Sequence, residues 1–434
     1  MTRLRRAALG AAVAVAVLAG VELALVALEA IGGRPLRLDP LPGPAPVDVL
    51  CPSGDAHWVL CPDQGAAYER VRPERFARVP TRPRVVVVGE SFVYGLGLDA
   101  PEALPAQLGA ALGPGVEVLN FGRCGTYAGR LLPVVGAAIP ARADLVVLAI
   151  GNNEHTMTTF FTGPAARHPL FAWRLLSALG QWRLFGLVAR LSGAGAPAVE
   201  SIDAPPLRLD DPVDQAVYSA RRRPPDLRLF PDGLAGREVT RRLEEEQRLK
   251  EQIFAGHLRR MVRGLRGAGV EVVLATLPWD LRARPTLSGT LAADEAPVRA
   301  AHAALRAAPD APDGPVTRAA IDALLTADPS VAAGWAARGD AAFADGDSAA
   351  AVDAWRRAAD HDLVPDATPR INAEIAAVAA AEGVPLVGLH ALSDTAVGDP
   401  GRLWMDKVHT NAEGARVLAA ALAPAVAAAL ADAP

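Results

Sequence analysis

Four short segments of this sequence carry side chains suited to acyl transfer. Gly89-Glu90-Ser91-Phe92-Val93-Tyr94-Gly95 sets a serine directly after an apolar run, and Asn120-Phe121-Gly122-Arg123-Cys124-Gly125-Thr126-Tyr127 supplies glycines among polar groups. Gly151-Asn152-Asn153-Glu154 supplies carboxamides, and Trp404-Met405-Asp406-Lys407-Val408-His409-Thr410-Asn411 supplies an acid and an imidazole three positions apart. A serine hydroxyl is a weak nucleophile until an imidazole accepts its proton. The imidazole is held in the right tautomer when a carboxylate engages its other nitrogen. The oxyanion that follows needs N–H donors, which a glycine amide and a carboxamide offer. Hydroxyl, glycine amide, carboxamide and Asp/His pair are together the parts for acyl transfer through a serine ester.

These segments need a scaffold that brings distant positions to one edge. Five β-branched apolar runs, Arg84–Val88, Val116–Asn120, Leu145–Ile150, Val270–Ala275 and Pro385–Leu389, alternate with helical stretches. That alternation predicts an α/β fold, a doubly wound parallel sheet of five strands buried on both faces. Ligands of such sheets bind beyond the carboxyl ends of the strands, and each of the four segments follows a run. Between the third and fourth runs lie an aromatic helix candidate around Phe171 to Leu191, a proline-rich loop around Ala204 to Pro231 and a helix from about Arg237 to Gly267. Within that helix, Arg241 to Lys250 reads as the solvated face of a crossover helix.

The four segments, in this order across residues 84 to 414, resemble the SGNH hydrolase superfamily, also called GDSL esterases and lipases. The resemblance implies a three-layer, flavodoxin-like sheet fold with Ser91 as nucleophile and Asp406 and His409 as the remaining triad. It implies an oxyanion hole from the amides of Ser91 and Gly125 and the side chain of Asn153, with Gly122 as the other candidate glycine. Glu90 and Glu154 depart from it, since the family has aspartate at both places. No cofactor and no metal is implied. His155, beside the oxyanion segment, reads as structural or as a substrate contact, and Cys124 as a small loop filler.

Residues 328 to 363 resemble a single tetratricopeptide repeat, with Trp335, Gly339, Ala342, Gly346, Ala351, Trp355 and Ala358 at its packing positions. One repeat does not bury its own core, so residues 297–368 read as a helical insert, itself a candidate surface for a protein partner. It divides the hydrolase domain into 84–296 and 369–434.

Residues 7 to 31 are apolar and follow Arg3, Arg5 and Arg6, the pattern of a signal anchor whose first end stays in the cytoplasm. A cleaved signal peptide is the alternative. Residues 1–32 thus form an anchor and 33–83 a proline-rich juxtamembrane linker with some packing around Trp58 and Tyr68. The remainder would lie outside the cytoplasmic membrane, in the periplasm of a Gram-negative cell. Cys51 and Cys61 are close enough to pair if that compartment is oxidising. A net charge of -4 leaves no basic field for nucleic acid, and 51% hydrophobic against 21% charged residues excludes global disorder. Three cysteines exclude a disulfide-dense scaffold, and Gly95-Leu96-Gly97 lacks the third glycine of a dinucleotide loop. Lys250 and Lys407 are the only lysines, a skew that reads as genome composition.

The expected function is a membrane-anchored, extracytoplasmic serine ester hydrolase. It would remove a small acyl group such as acetyl from a carbohydrate or envelope polymer. Two alternatives use the same sequence: an O-acyltransferase that passes the acyl group to a polysaccharide, and an inactive scaffold that binds a partner through the helical insert.

Overall fold

The structure, a computed structural model, describes residues 16–28, 49–61, 74–155, 184, 187–188, 230, 232–307, 315–366 and 368–431. The chain divides into two units, Met1–Pro42 with Thr159–Pro205, and Gly43–Thr158 with Pro206–Pro434. In the first unit, α1 (Ala16–Leu28) is an apolar helix that exposes Val17, Leu18, Leu23 and Leu28. Glu22 on this helix accepts a hydrogen bond from the Leu184 amide at 3.1 Å. The remainder of the expected anchor, Tyr68, most of the helix candidate at 171–191 and nearly all of the loop at 204–231 lie outside the described residues.

The second unit begins where a linker is expected and instead holds a small antiparallel sheet. Its strands β1 (Leu50–Pro52), β2 (His57–Leu60) and β3 (Arg75–Ala77) lie in the order β1-β2-β3. Strands of three or four residues beside prolines carry too few alternations to be read as a period. Cys51 and Cys61 are joined in a disulfide, Cα atoms 5.2 Å apart, and Leu60 and Phe76 turn into the main core.

The main sheet then builds from β4 (Arg84–Gly89), which runs into α2 (Ser91–Tyr94), followed by α3 (Leu104–Leu112), β5 (Glu117–Asn120), α4 (Ala128–Ala137) and β6 (Leu145–Ala149). Two-residue β7 (Leu234–Ala235) precedes the long α5 (Arg237–Gly267) and β8 (Glu271–Ala275), and β9 (Ser288–Gly289) pairs with β7. Helices α6 (Ala296–Ala307), α7 (Pro315–Ala327), α8 (Ala332–Ala344), α9 (Ser348–His361) and α10 (Pro369–Glu382) follow, before β10 (Leu386–Val387) and α11 (Ala412–Ala431). The sheet order is β10-β8-β6-β4-β5, every pair parallel. Counted along the chain this is the 2-1-3-4-5 order of a doubly wound sheet, which places a switch point at the ends of its central strands.

Val85 to Val88 and Leu145 to Ala149 are buried on both faces, as a sheet covered on both sides requires. Helix α3 packs with α11, and α4 and α10 pack on α5, which gives a helical layer on each face. By length and composition α11 is the one described helix able to cross a membrane; here its Leu418, Leu422 and Val426 are buried in the core. The fifth strand is two residues rather than the expected Pro385–Leu389. Gly388 leads straight into a short 3-10 turn at Leu389–Ala391, and Leu386 is exposed on the sheet edge. A short edge strand presents few unpaired backbone groups.

Arg241 to Lys250 departs from the solvated face expected of it, for Leu243, Glu246, Gln247, Leu249 and Lys250 are buried. The charges tolerate burial because they are paired: Lys250 Nζ lies 2.9 Å from Glu246 Oε1 and donates to the His155 carbonyl at 3.1 Å. In the helical segment, α8 and α9 form a hairpin in which Gly339 faces the Trp355 indole, and the Trp355 N–H donates to Asp340 at 3.1 Å.

Candidate active site

Ser91 opens α2 immediately beyond β4, 7% exposed. Its own amide is among the first-turn N–H groups that have no acceptor inside a helix. His409 comes from the far end of the chain, on the loop before α11. Its Nε2 lies 2.7 Å from Ser91 Oγ, and its Nδ1 lies 2.7 and 2.9 Å from the two oxygens of Asp406. Burial works to raise the Asp406 pKa, but the His409 ring and the amides of His409 and Val408 overcome it and hold the group at about 2. The carboxylate therefore stays ionised across the physiological range.

The loop that carries this pair is closed at several points. Met405 N–H donates to the His409 carbonyl at 2.8 Å, and Asn411 N–H to the Leu403 carbonyl at 3.0 Å. Asn411 also caps α11, its Oδ1 accepting from Gly414 N–H at 2.9 Å. Imidazole and carboxylate thus sit on a short, pinned turn.

The loops after β5 and β6 carry the glycines and the carboxamide. Gly125 has φ +67°, a left-handed conformation that favours glycine, and its amide meets no acceptor among the described residues. Gly122 does a different job. Its amide is given to Asn120 Oδ1 at 2.9 Å, and a Cβ there would fall 2.3 Å from the Tyr94 nitrogen, so its smallness lets the second loop approach α2. The Asn153 carboxamide donates one hydrogen to the Thr126 carbonyl at 2.8 Å, which orients it beside the Gly125 loop.

Both glutamates brace these loops. Glu90 accepts from the amides of Asn152, Gly151 and Asn153 at 2.6, 3.3 and 3.4 Å, and Glu154 accepts from the Ala128 amide at 2.6 Å. Burial, and then the charge of Glu154, push the Glu90 carboxyl up against the pull of its three amides. Burial pushes Glu154 to about 7, opposed by the Ala128 amide and by Lys250. His155 is buried with Nε2 3.6 Å from Glu251 Oε1; burial, then Lys250 and Arg370, hold its pKa low. Cys124 is buried and outside any disulfide.

No protein-family model matches the chain, and no curated protein matches it in sequence. Among solved structures it is similar to the crystal structure of LAE5, an alpha/beta hydrolase enzyme from the metagenome of Lake Arreo, Spain. The identity is 12% over 82% of this chain and 99% of that one, at a TM-score of 0.32. A likeness of that size carries no argument. The weight rests on the geometry of the site.

Two contributors escaped the sequence reading, and they are the two lysines. Lys250 pairs with Glu246 and holds the His155 carbonyl beside the buried Glu154. Lys407, between Asp406 and His409, reaches Asp362 at 3.2 Å and Asp366 at 3.6 Å, while its carbonyl accepts from the Asp280 amide at 2.9 Å. In a chain otherwise served by arginine, the rarity of lysine was the available signal. Among the described residues no cluster of His, Cys, Asp and Glu gathers to hold a metal ion. The arrangement offers a hydroxyl with a hydrogen-bonded base, an ionised orienting acid and amide donors on neighbouring loops.

Proposed function

We propose that this chain is a serine ester hydrolase acting through an acyl-Ser91 intermediate. The observation that carries the reading is the unbroken line from the Asp406 carboxylate through His409 to Ser91 Oγ, with contacts of 2.7 Å on each side of the ring. Ser91 Oγ attacks the ester carbonyl carbon as His409 Nε2 takes its proton. The carbonyl electron pair moves onto oxygen, which receives hydrogen bonds from the Ser91 and Gly125 amides and from the Asn153 carboxamide. Collapse re-forms the carbonyl and breaks the bond to the leaving alkoxide, which takes the proton from His409. Water then repeats the cycle on the acyl enzyme, releasing the acid and restoring Ser91. Each oxyanion donor is worth ~3 kcal/mol in the transition state.

The resemblance of the four segments to the SGNH superfamily supports an ester substrate with a small acyl group, such as acetyl on a carbohydrate or envelope polymer. The proposed setting is a single-pass anchor in the cytoplasmic membrane with the second unit outside the cytoplasm. It is supported by the apolar side chains that α1 exposes, by Arg3, Arg5 and Arg6 ahead of that helix, and by the Cys51–Cys61 disulfide, a bond that persists in oxidising compartments.

The test is intact mass of the full chain in detergent after exposure to a fluorophosphonate, beside Ser91→Ala. One adduct on the parent, mapped to Ser91, and none on the variant is the expected result. A folded parent that takes up no reagent would refute an activated Ser91.

A further inference from the structure

A cavity of about 720 Å³ opens between the loop after β8 and helices α6 and α8, within the ~300–1,000 Å³ range of small-molecule sites. No triad or oxyanion residue lines it. Its basic groups come from two elements: Arg282 and Arg284 on the loop, Arg306 and His302 on α6. The acid in the lining, Asp340, is already engaged by Arg284 at 2.5 Å and by the Trp355 indole N–H at 3.1 Å. Arg282 is held over the Phe343 ring, its guanidinium carbon 5.0 Å from the centroid, and Arg306 forms no ion pair among the described residues.

His302 is 4% exposed, and its Nδ1 has no hydrogen-bond partner. Burial lowers its pKa, with Asp232 pulling the other way and Arg306 and Arg299 adding to the fall, so the ring is neutral near pH 7. Ser288 contributes a hydroxyl whose oxygen accepts the Ala333 amide at 2.9 Å and whose hydrogen is left to donate, and the opposite wall is the alanine-rich side of α8. The cavity therefore combines surplus guanidinium charge with an apolar wall.

The loop that lines this cavity is tied by hydrogen bonds to the loop that carries Asp406 and His409. Asp280, two residues before Arg282, donates its amide to the Lys407 carbonyl at 2.9 Å. Asp362, which holds Lys407, accepts the amides of Thr286 and Leu287 at 2.7 and 3.0 Å.

We propose that the cavity binds an acidic saccharide unit, a sugar ring carrying one carboxylate, as a subsite beside the triad loop; naming a carbohydrate rests on the ester-hydrolase reading above. Arg306 and Arg282 present planar forks that match a carboxylate. The C–H face of the ring lies on the alanine wall, and a ring hydroxyl meets Ser288 Oγ.

Calorimetric titration of the full chain in detergent with glucuronate, and with glucose as the neutral counterpart, tests this. Glucuronate is expected to bind at least about tenfold more tightly than glucose, and Arg306→Gln to weaken glucuronate about tenfold at an unchanged melting temperature. Ser91→Ala is expected to bind as the parent does, so loss of esterase chemistry and loss of this site register separately. Absence of glucuronate binding by the folded parent, equal binding by Arg306→Gln, or loss of binding in Ser91→Ala each overturns the proposal.

Discussion

Replacing Glu154 by glutamine removes a proton-binding site from beneath the loops after β5 and β6 while keeping an oxygen for the Ala128 amide. In the unfolded chain this carboxyl loses its proton near 4.5, and in the native protein near 7. Between those values the native state binds more protons than the unfolded state, so stability falls as pH rises through the window. The contribution is whole below about 4.5 and gone above about 7. Each tenfold in proton affinity is worth ~1.36 kcal/mol, so the window carries on the order of 3 kcal/mol. Glu154→Gln also removes the charge that helps to raise Glu90, which adds in the same direction. His155, whose pKa is lowered, opposes this trend in parent and variant alike and cancels in the difference. Urea unfolding of both proteins at pH 5 and pH 8, followed by tryptophan fluorescence, reads the quantity directly. The parent should lose about 3 kcal/mol more than Glu154→Gln across that interval. Equal losses would show that Glu154 carries no extra proton in the native state, and the account of the buried pair would fail.

Three further outcomes follow from the geometry. Asn153→Ala should lower kcat for an ester by ~10²–10³ with little change in KM, since the lost donor acts on the oxyanion; a change confined to KM would remove Asn153 from that role. Gly122→Ala places a Cβ 2.3 Å from the Tyr94 nitrogen and should cost ~1–3 kcal/mol or more in a denaturant titration, with a near-zero cost contradicting the close approach of the second loop. Replacing Cys51 and Cys61 together by alanine opens a loop of ten-residue separation and should cost about 2–3 kcal/mol; reducing agent should then destabilise the parent and leave the variant unaffected.

Legibility in the sequence followed the range of the forces involved. A buried parallel strand writes itself as a run of β-branched residues, so Arg84–Gly89 and Leu145–Ala149 were readable. The side chains at their ends were readable too, because a doubly wound sheet sends all such ends to one edge. That is how Ser91 and His409, 318 positions apart, come to share a hydrogen bond. The small sheet at residues 50–77 was unreadable because its strands are shorter than the window in which alternation shows. Burial of Glu246 and Lys250 was unreadable for another reason. A helix periodicity argument assigns charged residues to solvent, and only a tertiary partner such as the His155 carbonyl reverses that. The helical hairpin lies between, since Gly339 and Trp355 announce a close contact without saying what lies beneath it.

The glutamates at 90 and 154, where the resembled family carries aspartate, test how the site tolerates a longer acid. Glu90 reaches across from the end of β4 to three successive amides of the third loop. Glu154 reaches from that loop to the first turn of α4, and Asn153 returns to Thr126. Three strand ends are thereby laced together by side chains, with Gly125 and Asn153 fixed within the lacing. Two carboxylates in one buried space repel, and desolvation disfavours both charges. A proton on Glu154 near neutral pH, with Lys250 close behind it, relieves that repulsion without giving up the Ala128 hydrogen bond, since a protonated carboxyl still has an oxygen to accept with. The added methylenes thus keep the loop contacts and move the consequence into pH dependence, which is why the stability profile of Glu154→Gln probes the architecture behind the oxyanion donors as well as the carboxyl itself.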